Sequence, residues 1–172
     1  MNDLSIDIAD RQTSLIPDEP RLREAVVRVL TEERVRSASI SVALVNDAEI
    51  HHINREFLGH DYPTDVISFR LDEDGAPDSE IDSPDESDAS NDSSSGSHHR
   101  LEGELIVSTE TALREASAHG WSPHDEVLLY VVHGLLHLCG YDDLTDETRP
   151  VMRVREREVL ASWKLIPTGL EV

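Results

Sequence analysis

Two imidazoles and two carboxylates fall within eleven residues, in HGLLHLCGYDD from His133 to Asp143. Residues at i and i+4 of a helix share one face, about one turn apart. His133 and His137 can therefore address a single ion. Gly140 lets the chain turn back and can carry Asp142 or Asp143 to the same point. Two imidazoles with one carboxylate form a donor set of the kind found at catalytic zinc sites, with a position left for water or substrate. The same donors suit non-haem iron(II), so ligand type alone does not fix the metal. A zincin-type protease is excluded, because that motif needs Glu after the first His and this chain has Gly134. A helical Gly costs roughly 1 kcal/mol against Ala. Here it implies either close approach by a ligand or tight helix packing.

The elements that must position these residues alternate between strand and helix periods. Leu4, Ile6 and Ile8 alternate as in a strand. Leu22, Ala25, Val26, Val29 and Leu30 follow the helical period, which predicts a helix over Glu19–Arg34 with Asp18 as N-cap. A second strand covers Ile40–Leu44, and a short helix Asp47–Leu58 turns Ile50, Ile53 and Phe57 inward. DVISF (Asp65–Phe69) and GELIV (Gly103–Val107) read as the third and fourth strands. Thr109–His119 is a helix closed by Gly120. Ser122, Pro123 and Asp125 form a near capping box that opens the histidine-bearing helix. A last helix spans about Asp146–Trp163, with Pro150 tolerated in its first turn. The expected fold is α+β, a small mixed sheet of about four strands packed with about five helices, in a single domain over 1–172.

The chain carries 36 acids against 15 bases, a formal charge of −21. That balance argues against binding through broad attraction to nucleic acid or anionic membrane, and leaves room only for a local basic groove. Ten of the acids, and no base, lie in Asp72–Ser97, a Ser/Asp/Gly-rich stretch. Such a composition buries too little apolar surface to offset ordering entropy. A disordered acidic insert is expected at about 72–99, with His98 and His99 as solvated loop residues. The remainder, 26 acids against 15 bases, is still acidic. Cys139 is the single cysteine, which points to a reducing, cytoplasmic setting. No apolar run approaches membrane-span length, and the N-terminal residues lack the pattern of a secretory leader.

HGLLHLCGYDD closely resembles the signature His-Gly-x-Leu-His-Leu-x-Gly-Tyr-Asp-His of the YbeY family of bacterial ribosomal RNA maturation factors. NREFLGHDYPTDVISF (Asn54–Phe69) resembles that family's approach to a Pro-Thr-Asp-Val-Leu-Ser-Phe strand. GELIVS with the helix that follows resembles its Gly-Asp-Ile-x-Ile-Ser segment. The resemblance implies an α+β fold with one zinc ion and a metal-dependent, single-strand-specific endoribonuclease. It further implies action in 3′-end maturation of small-subunit (16S) rRNA and in ribosome quality control. The expected partners are ribosomal RNA and the small ribosomal subunit, with no membrane and no DNA. By position, His133, His137 and Asp143 take the three metal places. Asp143 stands where the family has histidine; a carboxylate is a competent ligand, but its charge would make the ion a weaker Lewis acid. Asp142 matches the family's own Asp and is expected to serve the turn or to support the ligands from behind, with substitution as the third ligand the alternative. Leu58 occupies a place where the family carries an arginine thought to meet phosphate. Arg55 and Arg70 are the candidates to replace it as substrate-binding residues. The contrasting expectation is a ribosome-assembly binding factor with weak or no nuclease activity.

Overall fold

The computed structural model describes residues 2–72 and 100–168. The expected acidic insert, apart from Asp72 at its edge, lies outside the described residues. Four strands form one mixed sheet: β1 (Asp3–Asp10), β2 (Ser37–Val45), β3 (Val66–Arg70) and β4 (Leu101–Ser108). Their order is β1-β2-β4-β3. β1 and β4 both run parallel to β2, and β3 runs antiparallel to β4. Five α-helices accompany them: α1 (Glu19–Glu32), α2 (Asp47–Leu58), α3 (Thr109–His119), α4 (Pro123–Leu138) and α5 (Thr148–Leu160). The α+β class and the element inventory agree with the sequence patterning.

Strand alternation divides the core in two. Ile40, Val42 and Leu44 of β2 join Leu105 and Val107 of β4 on the face packed against α1 and α4. Ala43, Val45, Ile67 and Ile106 point the other way and meet Ile50 of α2. Such period-two sorting follows from the pleat. α4 is the central helix: α1, α3, α5, β3 and β4 all pack on it. Its start is set locally, because Ser122 and Asp125 exchange side-chain and backbone hydrogen bonds in a full capping box behind Pro123.

Three details depart from expectation. Helix α1 ends at Glu32, not Arg34, because Arg34 adopts a left-handed backbone (φ 61°). Phe57 is 67% exposed rather than inward, lying edge-to-face with Phe69 at 6.0 Å between ring centres. The last helix is shorter than expected at both ends and finishes in a 3-10 turn, Ala161–Trp163.

Small and large residues interlock where α4 crosses the sheet. A Cβ built on Gly134 would sit 2.8 Å from Leu105 Cδ2, and one on Gly103 only 2.5 Å from Leu138 Cδ1. Each glycine thus receives the leucine of the opposite element. The pairing order, 134 with 105 and 138 with 103, sets α4 antiparallel to β4. Gly134 is accounted for by this packing, which resolves the alternative the sequence left open.

Candidate metal centre

α4 presents its outer face at its C-terminal end. There the Nε2 atoms of His133 and His137 stand 3.1 Å apart. The chain turns back through Gly140, whose φ of 101° favours glycine. It returns Asp143 with its two oxygens 3.6 Å from His133 Nε2 and 3.5 Å from His137 Nε2. These three half-buried residues form a cluster that could hold a metal ion, the only such cluster among the described residues. Asp142 is not part of it. Its carboxylate accepts from the Leu144 amide at 3.1 Å and serves the turn, as expected.

The rings are oriented from behind. His137 Nδ1 lies 3.0 Å from the Tyr141 carbonyl, which can only accept, so Nδ1 carries the proton. His133 Nδ1 lies 2.9 Å from Glu156 Oε2, a carboxylate on α5 that is only 5% exposed. Neutral rings held this way aim both Nε2 lone pairs at one point, a repulsive arrangement that a cation relieves. The His133 pKa responds to the same field. Burial opposes protonation, but the hydrogen bond that the ring donates to Glu156 and the charges of Glu156, Asp143 and Asp65 outweigh it and raise the value.

A cavity of about 170 Å³ opens beside the cluster, lined by His133, Asp143 and Glu156 together with Asp65, Tyr130 and Arg153 among others. Arg149 secures the turn by donating from Nε to the Asp143 carbonyl (3.1 Å) while pairing with Asp146 (3.0 Å). Sequence reasoning did not single out Glu156, Arg149 or Asp65. For Glu156 a signal existed: it falls on the inward stripe of α5 with Met152 and Val159, where an unpaired carboxylate would be costly.

The remaining candidates lie elsewhere. Arg55 is exposed on α2, and Arg70 is held by Asp72 at 2.9 Å; neither lines the cavity. Leu58 is 47% exposed. Cys139 packs against the core, and burial pushes its thiol up to about 12, so it is no thiolate donor. His51 and His52 pair with Asp61 and Glu56, and His60 stacks on Tyr62. His124 bonds the Ile16 carbonyl. No helix among the described residues is long and apolar enough to cross a membrane.

The family model described as "Endoribonuclease YbeY" matches residues 7–164. A relative of that name from Rhodopirellula baltica is 41% identical over 88% of this chain and 64% of its own length. Another, from Bacillus licheniformis, is 36% identical over 94% of this chain and 96% of its own. The Bacillus subtilis protein of the same name is 33% identical over 94% and 97%. A solution structure from Thermotoga maritima shares the fold, with a TM-score of 0.55 at 22% identity, covering 92% of this chain and 91% of that one. The fold and the donor cluster thus sit within a family of endoribonucleases. The chain belongs to the YbeY family.

Proposed function

We propose that this chain is a zinc-dependent endoribonuclease specific for single-stranded RNA. In this reading it acts in the cytoplasm on the 3′ end of 16S ribosomal RNA, in contact with the small ribosomal subunit, and in ribosome quality control. One zinc ion per chain is held by His133, His137 and Asp143, in a single domain over 1–172.

The observation that carries the reading is the spacing of the donor atoms. Around a tetrahedral zinc with bonds of about 2.0–2.2 Å, donor-to-donor edges of about 3.3 Å follow from geometry. Here the two Nε2 atoms are 3.1 Å apart, Asp143 offers a separate oxygen to each ring at 3.6 and 3.5 Å, and one ligand atom from each of the three residues lies within 4.8 Å of the others. When bound, such an ion supplies Lewis-acid charge to a phosphoryl oxygen during hydrolysis. The protein's own part is orientation. Glu156 and Tyr141 fix the imidazole tautomers, and Arg149 fixes the turn that bears Asp143. The cavity beside them is where a phosphate of an unpaired strand would approach the cluster.

The test is cleavage of single-stranded RNA by zinc-loaded protein, with double-stranded RNA as control. Cleavage that disappears in His133→Ala supports the reading, as does accumulation of 3′-extended 16S precursor in a strain carrying only that variant. The second reading, an assembly factor without nuclease activity, draws on exposed Leu58 at the place of the family's arginine. It would be favoured if the His133→Ala strain processed its rRNA normally.

A further inference from the structure

Most cations of this acidic chain are already engaged. Among the described residues, Arg34, Arg36, Arg55, Arg153, Arg157 and Lys164 are in no ion pair within 4.0 Å. Of these, only Arg153 lines the cavity beside the donor cluster. Its place on α5 is specific. Arg149, Arg153 and Glu156 fall at successive four- and three-residue spacings, so they share one face of the helix. The first of them holds the Asp143 carbonyl and the last holds His133. Arg153 lies between two residues that already face the site. Three carboxylates, Asp65, Asp143 and Glu156, line the same cavity, yet none pairs with it. Its guanidinium therefore keeps its donors for an incoming group. A cavity of about 170 Å³ has room for roughly five waters, enough to admit a phosphate.

We infer that Arg153 binds a backbone phosphodiester of single-stranded RNA next to the donor cluster, a role that rests on the endoribonuclease reading above. The planar fork of an arginine suits two phosphate oxygens at once. The contact would hold the strand against the repulsion of the surrounding acids, and it would do so in a chain whose Leu58 offers no charge. A phosphate contact carries no base information, so its effect is the same for every sequence.

The test uses the full chain loaded with zinc. Binding of a fluorescent 2′-O-methyl RNA oligonucleotide is titrated across a salt series, and cleavage of the unmodified oligonucleotide is followed in parallel. Arg153→Gln is expected to weaken binding about tenfold. The slope of log K against log salt should become shallower by about 0.7, the loss of one single-strand phosphate contact. In cleavage the loss should fall mainly on KM. Arg153→Lys should recover most of the slope, and Arg157→Gln should match the wild type. If the wild type binds and cleaves while Arg153→Gln shows the same affinity and slope, the assignment of Arg153 is overturned and the nuclease reading stands. An Arg153→Lys variant whose salt slope is as shallow as that of Arg153→Gln also overturns it, since the slope reads the charge at this position and not the shape of the fork. A wild type that neither binds nor cleaves overturns both.

Discussion

Among the described residues, two histidine–glutamate pairs involve α4, one near each of its ends, and they behave differently. At the N-terminal end His119 Nε2 is 3.8 Å from Glu126, while its Nδ1 is occupied by Thr168. At the C-terminal end His133 turns Nδ1 to Glu156 at 2.9 Å and leaves Nε2 facing His137 and Asp143. Which ring nitrogen the carboxylate takes therefore separates a structural pair from a candidate ligand. Glu126 itself is 2% exposed, and its Oε2 has no hydrogen-bond partner among the described residues. Burial raises its pKa against the opposing charge of His119.

The contrast can be broken most severely at the donors. His137→Ala should lower zinc content from about one ion per chain to a trace and reduce RNA cleavage on the order of a hundredfold or more. Elemental analysis and an oligonucleotide cleavage assay read these two effects. A milder break is Glu156→Gln, which weakens the acceptor behind His133. Zinc affinity should fall about 10- to 100-fold by competition with a chromophoric chelator, whereas Glu126→Gln should leave it unchanged. Equal effects from both variants would erase the distinction between the two pairs.

Smaller effects concern stability. Gly103→Ala forces a methyl group into Leu138, the neighbour of His137. Urea unfolding should show a loss of about 1–3 kcal/mol. The smallest expected change is a gain. Because the folded-state pKa of Glu126 is raised, the folded chain holds that proton more tightly than the unfolded chain. Its contribution is fully present below the unfolded value and is lost as pH rises through the folded one. Glu126→Gln should therefore stabilise the protein by about 1 kcal/mol at pH 7.5. The gain should shrink toward pH 4, as seen by thermal melting at both pH values.

Local signals in the sequence were reliable where the physics is local. The capping box at Ser122, the bounds of α3 and the i, i+4 histidines all depend on neighbours within a few residues, and each was legible. The turn at Gly140 left both Asp142 and Asp143 open as the third donor; the family register pointed to Asp143, and it is Asp143 that the fold brings to the two histidines. The stripe of α5 marks Glu156 as inward, but its partner was hidden, being 23 residues away on another helix. Arg149 and Arg153 were unread for the same reason, since the stripe of α5 marks its buried face but not which flanking positions border the histidines of α4. Phe57 obeyed the apolar period yet stayed at the surface, because the small cluster under α2 is filled by Ile50 with Ile67 and Ile106. Sheet order, too, depends on pairings between distant segments.

The interlocked glycines carry one more consequence. α4 touches the sheet through Gly134 and Leu138, and the donors are His133 and His137, each one residue earlier. The donor spacing therefore repeats the docking spacing. Sliding the helix by a turn would move a bulky side chain onto the seat made for Gly134, so axial position is quantised rather than graded. An evolving or engineered variant can then retune the pocket's chemistry at 133, 137, 143 or 156 without resetting where the helix stops. Relocating the pocket would require exchanging a glycine and a leucine on two elements together, a double change whose single steps are each penalised.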